Sequence, residues 1–150
     1  MKKPLNEILP TIGAPASSIE NWLMPDRLRL YTSFEGTTRG RARLFSRNNT
    51  LELALIAAFI KAGAAASGAA AMAEAVLRAE TNAAALGRPK NYDVREWWVF
   101  AAGDMTKGSE LSTINLKKLQ PRLKPAWPPV LTIVHVGEIV RRVDKLFGGE

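Results

Sequence analysis

Residues 4–24, PLNEILPTIGAPASSIENWLM, decide the fold because they contain two short helical patterns on either side of a turn signal. In the first pattern, apolar residues recur every three or four positions between Leu5 and Ile12, which is the spacing of one helix face. Pro10 is expected to end or bend this helix, because proline has no backbone N–H to donate. A glycine and a proline in residues 13–15 then predict a tight turn.

The second pattern predicts a helix over about residues 17–24. Its apolar residues recur at positions i, i+3 and i+4, namely Ile19, Trp22 and Leu23. Ser17 or Ser18 is available as the N-cap, and Pro25 follows as the stop. Two short helices around a tight turn form a helix-turn-helix, and in proteins that use this motif the second helix enters the major groove of DNA.

Residues 27–47 change to the alternating period of β-strands. RLRLYTSF and RGRARLF alternate basic or polar residues with apolar or small ones, and EGTTRG between them supplies two glycines, so a β-hairpin is predicted. On the second strand Arg39, Arg41 and Arg43 share one face, because successive side chains of a strand point to opposite sides. With no acid among them, these arginines repel one another unless an anion is present.

The positive charge of the chain is concentrated in the same segment. The net charge is +7, and residues 27–47 hold six arginines against a single acid, Glu35, whereas the rest of the chain holds 15 basic and 13 acidic residues. This distribution favours a polyanionic partner, with phosphates or the minor groove of DNA as the site of arginine contact. The alternative is a solvated, charged strand edge of the kind that protects sheets from aggregation.

From residue 46 the helical period returns. A stripe of leucine, isoleucine and phenylalanine predicts a helix that has Ser46, Asn48 or Asn49 as its cap and stops at Gly63. An alanine-rich helix over about residues 66–86 follows. Its small side chains suit close packing against a neighbouring helix.

The last part of the chain predicts a small α+β unit after a glycine- and proline-containing junction. WWVFAAG, ELSTINL and VLTIVHV have the composition of strands, and GEIVRRVDKLF predicts an amphipathic helix. The fold class is therefore α+β, with domains at residues 1–87 and 88–150. Trp97, Trp98 and Trp127 of the second unit either line a ligand pocket or form its core.

Composition argues against several classes of function. The chain has no cysteine and one histidine, His135, and it shows no acid pair, phosphate-binding loop or nucleophile motif, so we expect no enzyme activity, cofactor or metal. No stretch reaches the roughly 18 apolar residues of a membrane span, and the N-terminus lacks the apolar region of a signal peptide. We therefore expect a cytoplasmic, nucleoid-associated protein with no membrane partner.

GRARLFSRNN followed by LALIAAFIKAG, with SSIENW upstream, resembles the winged helix-turn-helix DNA-binding domain of the MerR superfamily over about residues 4–86. The resemblance implies a recognition helix at about 17–24 in the major groove and an arginine-rich wing at 37–45 on phosphates or the minor groove. The C-terminal unit is unrelated to the long dimerising helix of that family. The absence of cysteines argues against the metal sensing of some of its members.

These features predict a sequence-specific, double-stranded DNA-binding protein, a bacterial or prophage transcription regulator that acts as a homodimer or a cooperative assembly. RNA polymerase or a recombinase is a candidate protein partner. The alternatives are a protein–protein adaptor built on a winged helix that has lost DNA binding, and an excisionase-like architectural factor. The predicted DNA contacts are Ser17, Ser18, Asn21, Arg27, Arg29, Tyr31, Arg39, Arg41, Arg43 and Arg47.

Overall fold

The computed structural model describes residues 1–36, 40–86, 99–102, 110–113 and 132–149. The helices in these residues are α1 (Leu5–Ile12), α2 (Ala16–Trp22), α3 (Arg47–Lys61), α4 (Ala66–Leu86) and α5 (Val136–Leu146). The strands are β1 (Lys3–Pro4), β2 (Leu44–Phe45), β3 (Val99–Ala102), β4 (Glu110–Thr113) and β5 (Thr132–Val134).

The strands form two small antiparallel sheets. β1 pairs with β2, so that Lys3 lies opposite Phe45 and Pro4 lies opposite Leu44. In the second sheet β3 is the central strand, and β4 and β5 lie on either side of it. The mixture of helices and antiparallel strands confirms the predicted α+β class. The division into domains at 1–87 and 88–150 stays a prediction.

Helix α3 lies at the centre of the core. It packs against α1, α4 and α5, and its residues Leu51, Leu55 and Phe59 are fully buried. Ala69 and Ala73 of α4 are fully buried as well. Side chains as small as these let two helix backbones approach closely, which explains how an alanine-rich helix packs against a leucine-rich one.

The C-terminal helix α5 contributes to the same core. Its valines Val136, Val140 and Val143 are fully buried in one apolar cluster with Ile8 of α1 and the interior face of α3. The strand β5 leads directly into α5, with His135 as the residue between them. The predicted strands at WWVFAAG and ELSTINL are thus confirmed in their described parts. Of the described residues of VLTIVHV, only Thr132–Val134 form a strand, because Val136 already begins the terminal helix, one residue before its predicted start.

The ends of α3 and α4 agree with the sequence pattern. The Ser46 hydroxyl accepts from the Asn49 N–H at 3.2 Å, and the Asn49 side-chain oxygen accepts from the Ser46 N–H at 3.0 Å, which is a reciprocal capping box. Gly63 follows α3 with φ of 105°, in the left-handed region that glycine adopts readily. Helix α4 spans Ala66–Leu86, as its alanine pattern predicts.

The first two helices differ from the sequence prediction in where they begin or end. Helix α1 continues through Pro10 to Ile12 and ends at Gly13, whose φ is 72°. The missing N–H of Pro10 leaves the carbonyl of Asn6 without its helical partner, and Asn6 is exposed, so water can take the place of that donor. Neither serine caps α2, because Pro15 with its extended backbone is the N-cap and both serines lie inside the first turn.

The predicted β-hairpin is also wrong in its first strand. None of the residues 27–36 lies in a strand. Of the described residues 40–45 in the second predicted strand, Arg41 forms an isolated bridge and Leu44–Phe45 form β2. The partner of β2 is β1, from the N-terminus of the chain. The backbone donors of residues 31 and 32 bond to a buried side chain of α3, so they are not available to a neighbouring strand.

Candidate nucleic-acid interface

Helix α2 divides cleanly into a buried and an exposed face. Ile19 and Trp22 are buried in the core, as their spacing predicts, and the exposed face carries Ser17, Glu20 and Asn21. Ser18, which was also predicted to contact DNA, is partly buried. The hydroxyl of Ser17, the carboxylate of Glu20 and the amide of Asn21 are therefore the polar groups that α2 offers to a partner.

The segment that follows carries exposed arginines that form no ion pair with a carboxylate in the described part of the chain. We call residues 27–43 the arginine segment; residues 37–39, and with them the predicted contact Arg39, lie outside the described residues. Arg27, Arg29 and Arg41 are exposed. In the described part of the chain, none of these three makes an ion pair.

A buried carboxylate fixes the backbone of the arginine segment. Glu52 of α3 is fully buried, and its two oxygens accept from the N–H of Tyr31 at 2.6 Å and from the N–H of Thr32 at 3.0 Å. The Thr32 hydroxyl donates to the same carboxylate. A buried charge of this kind is tolerated only when donors surround it. Glu52 therefore anchors the chain two residues beyond Arg29.

Asn49 provides a second anchor one turn earlier on α3. Its side-chain N–H groups donate to the Thr32 hydroxyl and to the Ser33 carbonyl, each at 3.0 Å. Phe34 then packs edge-on against Phe45, with ring centroids 6.3 Å apart. Residues 31–34 are thus attached to α3 by side-chain hydrogen bonds and to β2 by an aromatic contact.

The one acid of the arginine segment is occupied by a cation from elsewhere. Glu35 pairs with the ammonium of Lys2, and this hydrogen bond, with the charges of Lys2 and Arg41, lowers the pKa of the Glu35 carboxyl from its ordinary value. The carboxylate is exposed, so water screens the pair. Glu35 consequently does little to balance the neighbouring arginines.

Tyr31 is placed on the surface together with a cation that the sequence did not suggest. The guanidinium of Arg78 on α4 lies 4.8 Å from the centre of the Tyr31 ring, a cation–π contact. Arg78 also pairs with Glu74 at 2.7 Å, and the Glu74 hydrogen bond raises the pKa of the Arg78 guanidinium. Arg78 is half-exposed and lies beside the arginine segment, although nothing in the local pattern of α4 singles it out.

Arg47 has a different environment from the other predicted contacts. Its guanidinium forms a two-pronged pair with Glu80 of α4, with both N···O distances at 2.7 Å, and it donates from Nε to Asp144 of α5 at 2.8 Å. The Glu80 hydrogen bond and the Asp144 contact raise the pKa of Arg47, against the effect of burial. Arg47 therefore joins three helices, and its charge is already balanced within the protein.

Two further sets of predicted site residues remain, namely Arg43 among the DNA contacts and the three tryptophans of the ligand pocket. Arg43 is partly buried and lines a cleft against α2. The three tryptophans of the proposed ligand pocket, Trp97, Trp98 and Trp127, lie outside the described residues. The described part of the chain contains no cluster of three or more side chains suited to holding a metal ion.

Comparison with known proteins gives no assignment. No protein-family model matches the chain, and no curated protein is similar to it. Among the helices that the structure describes, none is long and apolar enough to cross a membrane.

Proposed function

We propose that this protein binds double-stranded DNA, with the exposed face of α2 in the major groove and the arginine segment on the adjacent phosphates or minor groove. The observation that carries the proposal is that Arg27, Arg29 and Arg41 are exposed and unpaired next to a helix whose outer face is polar. A role as a bacterial or prophage transcription regulator, with the winged helix-turn-helix arrangement of the MerR superfamily, is the form of this proposal that we favour.

The distribution of ion pairs supports a polyanionic partner. Cations elsewhere in the described residues have acidic neighbours: Lys2 with Glu35, Lys3 with Glu7, Arg47 with Glu80 and Asp144, Arg78 with Glu74, and Arg142 with Glu138. Lys61 and Lys145 lie in the last turns of α3 and α5, where the helix dipole favours positive charge. Among the described residues, Arg27, Arg29 and Arg41 have no ion pair and do not lie in the last turn of a helix, and Arg41 feels Glu35 only as a screened charge, so phosphate groups would supply the missing partners.

The two surfaces are close enough to act on one ligand. The N–H of Arg27 donates to the carbonyl of Met24 in the turn that leaves α2, at 3.3 Å. Glu20 of α2 and Arg43 of the arginine segment line the same cleft. A duplex whose major groove receives α2 would therefore have its phosphates within the field of the arginines. Phosphate contacts would supply most of the affinity, and Ser17 and Asn21 would contribute to the choice of bases.

Glu20 supports a second candidate function. An exposed carboxylate in the middle of α2 repels phosphate, although it can accept from the amino group of cytosine. If repulsion dominates, α2 is a surface for another protein, and the molecule is an adaptor. The small size of α2 also favours a homodimer or cooperative assembly on DNA, because one short helix buries too little surface for high specificity.

The test is fluorescence anisotropy on random-sequence duplex DNA across a salt series. We compare the wild type with an Arg27→Gln, Arg29→Gln, Arg41→Gln variant, and the matched control is Arg141→Gln, Arg142→Gln, Lys145→Gln on the exposed face of α5. The control removes the same charge, so it separates a local surface from a general effect of net charge.

If the arginine segment binds DNA, the slope of log K against log salt concentration should be shallower by about two to three units in the first variant. In the control it should change by less than about one unit. Equal losses in the two variants, or no binding by the wild type at low salt, would reject the DNA interface. In that case α2 should be used as bait for protein partners, with Glu20→Lys as the variant that breaks the contact.

A further inference from the structure

A cleft of about 560 Å³ lies between the N-terminal strand, the end of α2 and the last residues of the arginine segment. Its volume is in the usual range for small-molecule sites. Most of its wall is apolar and comes from Pro4, Leu5, Leu23, Met24, Pro25 and Phe45. Met24 lies at the edge of this cleft and is 53% exposed, so its side chain is accessible to a ligand.

The cleft contains one cation, and that cation has an unsatisfied donor. Arg43 lines the cleft and is partly buried, and its Nε atom is buried without a hydrogen-bond partner. Buried donors are nearly always paired, so an orphaned guanidinium N–H needs an explanation. Glu20 also lines the cleft, but it makes no ion pair with Arg43.

We propose that this cleft binds a small monocarboxylate with an apolar body. The carboxylate would accept two hydrogen bonds from the Arg43 guanidinium, which turns from its covered position so that Nε and one Nη both donate. The apolar body would cover Met24 and Phe45. The negative charge of Glu20 disfavours phosphates and dicarboxylates, so the site selects a single negative charge joined to an apolar group.

Such a ligand would contact both elements of the proposed DNA interface. It would touch Leu23 and Met24 at the end of α2, and Arg43 in the arginine segment. Binding at this position is therefore expected to compete with DNA or to change its affinity. The ligand site itself stands on the cleft and on Arg43 alone, so its test does not depend on whether the protein binds DNA.

The experiment uses octanoate as the probe and octan-1-ol as the matched neutral probe. Binding of each is followed by the amide resonances of the full chain in ¹H–¹⁵N NMR spectra. We expect octanoate to shift the amides of Leu23, Met24 and Phe45, and octan-1-ol to bind at least about tenfold more weakly, because a charged hydrogen bond separates the two. Suberate, with a second carboxylate, should also bind more weakly than octanoate.

Two variants assign the effect to the cleft. Arg43→Gln should lower octanoate affinity by about tenfold or more and leave octan-1-ol unchanged, while Lys145→Gln, at an exposed residue that does not line the cleft, should change neither. Met24→Ala removes an exposed side chain and should weaken both probes. Equal binding of octanoate and octan-1-ol, unchanged octanoate affinity in Arg43→Gln, or shifts confined to other parts of the chain would each overturn the proposal.

Discussion

At the scale of single residues, Glu52 is the side chain on which the surface depends most. It is a fully buried acid in a helix that forms the centre of the core, and it is stable there because two backbone N–H groups and a hydroxyl donate to it. Replacing it leaves Tyr31 and Thr32 with unpaired donors. We therefore expect Glu52→Ala to lower the free energy of unfolding by about 2–3 kcal/mol, measured by urea denaturation.

The control for this prediction is Glu74→Ala on α4. Glu74 pairs with Arg78 four residues later on the helix surface, with the Arg78 side chain 58% exposed. Such pairs contribute little, so a change below about 1 kcal/mol is expected. If the two variants lose the same stability, the hydrogen bonds of Glu52 to residues 31 and 32 do not anchor the arginine segment.

The residue scale also shows what a pattern can and cannot predict. Trp22 was predicted to be buried and is buried, because helical spacing alone determines which face of α2 meets the core. The sequence predicts Arg47 as a DNA contact, since it belongs to the arginine-rich residues 27–47. Its acidic partners, Glu80 and Asp144, lie on helices far along the chain, and no local pattern contains that information.

At the scale of elements, a helix or strand is predicted well from the sequence when its apolar pattern continues over many residues. Helix α3 repeats its apolar stripe over Arg47–Lys61 and carries its own cap, so its limits follow from the sequence. Residues 27–34 alternate in the manner of a strand, but an alternating pattern does not identify the partner of the backbone. Glu52 and Asn49 take that place through side-chain hydrogen bonds, and the predicted hairpin strand does not form there.

The ion-pair cluster of Arg47, Glu80 and Asp144 joins α3, α4 and α5, and we expect it to contribute to stability. The side chains of Arg47 and Glu80 are 26% and 21% exposed and that of Asp144 is 8% exposed, so the cluster is intermediate between a surface pair and a buried one. Arg47→Met removes the cation and leaves two carboxylates close together. We expect a loss of about 2 kcal/mol, with the largest fall in amide protection at α5.

Arg142→Met is the matched control. Arg142 lies on α5, as Asp144 does, but it is exposed and its partner Glu138 belongs to its own helix. It should lower stability by less than about 1 kcal/mol. A loss in Arg47→Met no larger than in the control would mean that water screens the cluster. A large loss that spares α5 would mean that Arg47 acts through α4 alone.

At the scale of the whole molecule, the positive charge is concentrated in one segment of the chain, whereas the hydrophobic core is shared by helices from distant parts of it. The excess of positive charge belongs to the arginine segment, whereas the core joins α1, α3 and α4 with α5 from the C-terminus. The sequence suggested a break near residue 87, because the glycine, the proline and the change of composition lie there. The apolar pattern of α5 shows that it buries one face, but it does not say against what.

The shared core predicts that α5 and the N-terminal helices unfold together. Val140 is fully buried in the cluster that also contains Ile8 and Leu55. Val140→Ala removes two methyl groups, and we expect a cost of about 2 kcal/mol. If the core is one cooperative unit, hydrogen exchange measured by NMR will show the same fall in opening free energy for the protected amides of α1, α3 and α5.

The alternative is that α5 opens before the rest, as a separate C-terminal domain would. Val140→Ala would then reduce protection in α5 alone, and the amides of α1 and α3 would keep their wild-type exchange rates. Arg142→Ala on the exposed face of α5 controls for a change in helix propensity and should leave all three helices unaffected. A uniform fall would tie α5 to the helices that position α2, so that events in the C-terminal part of the chain can alter the proposed DNA surface through a shared core.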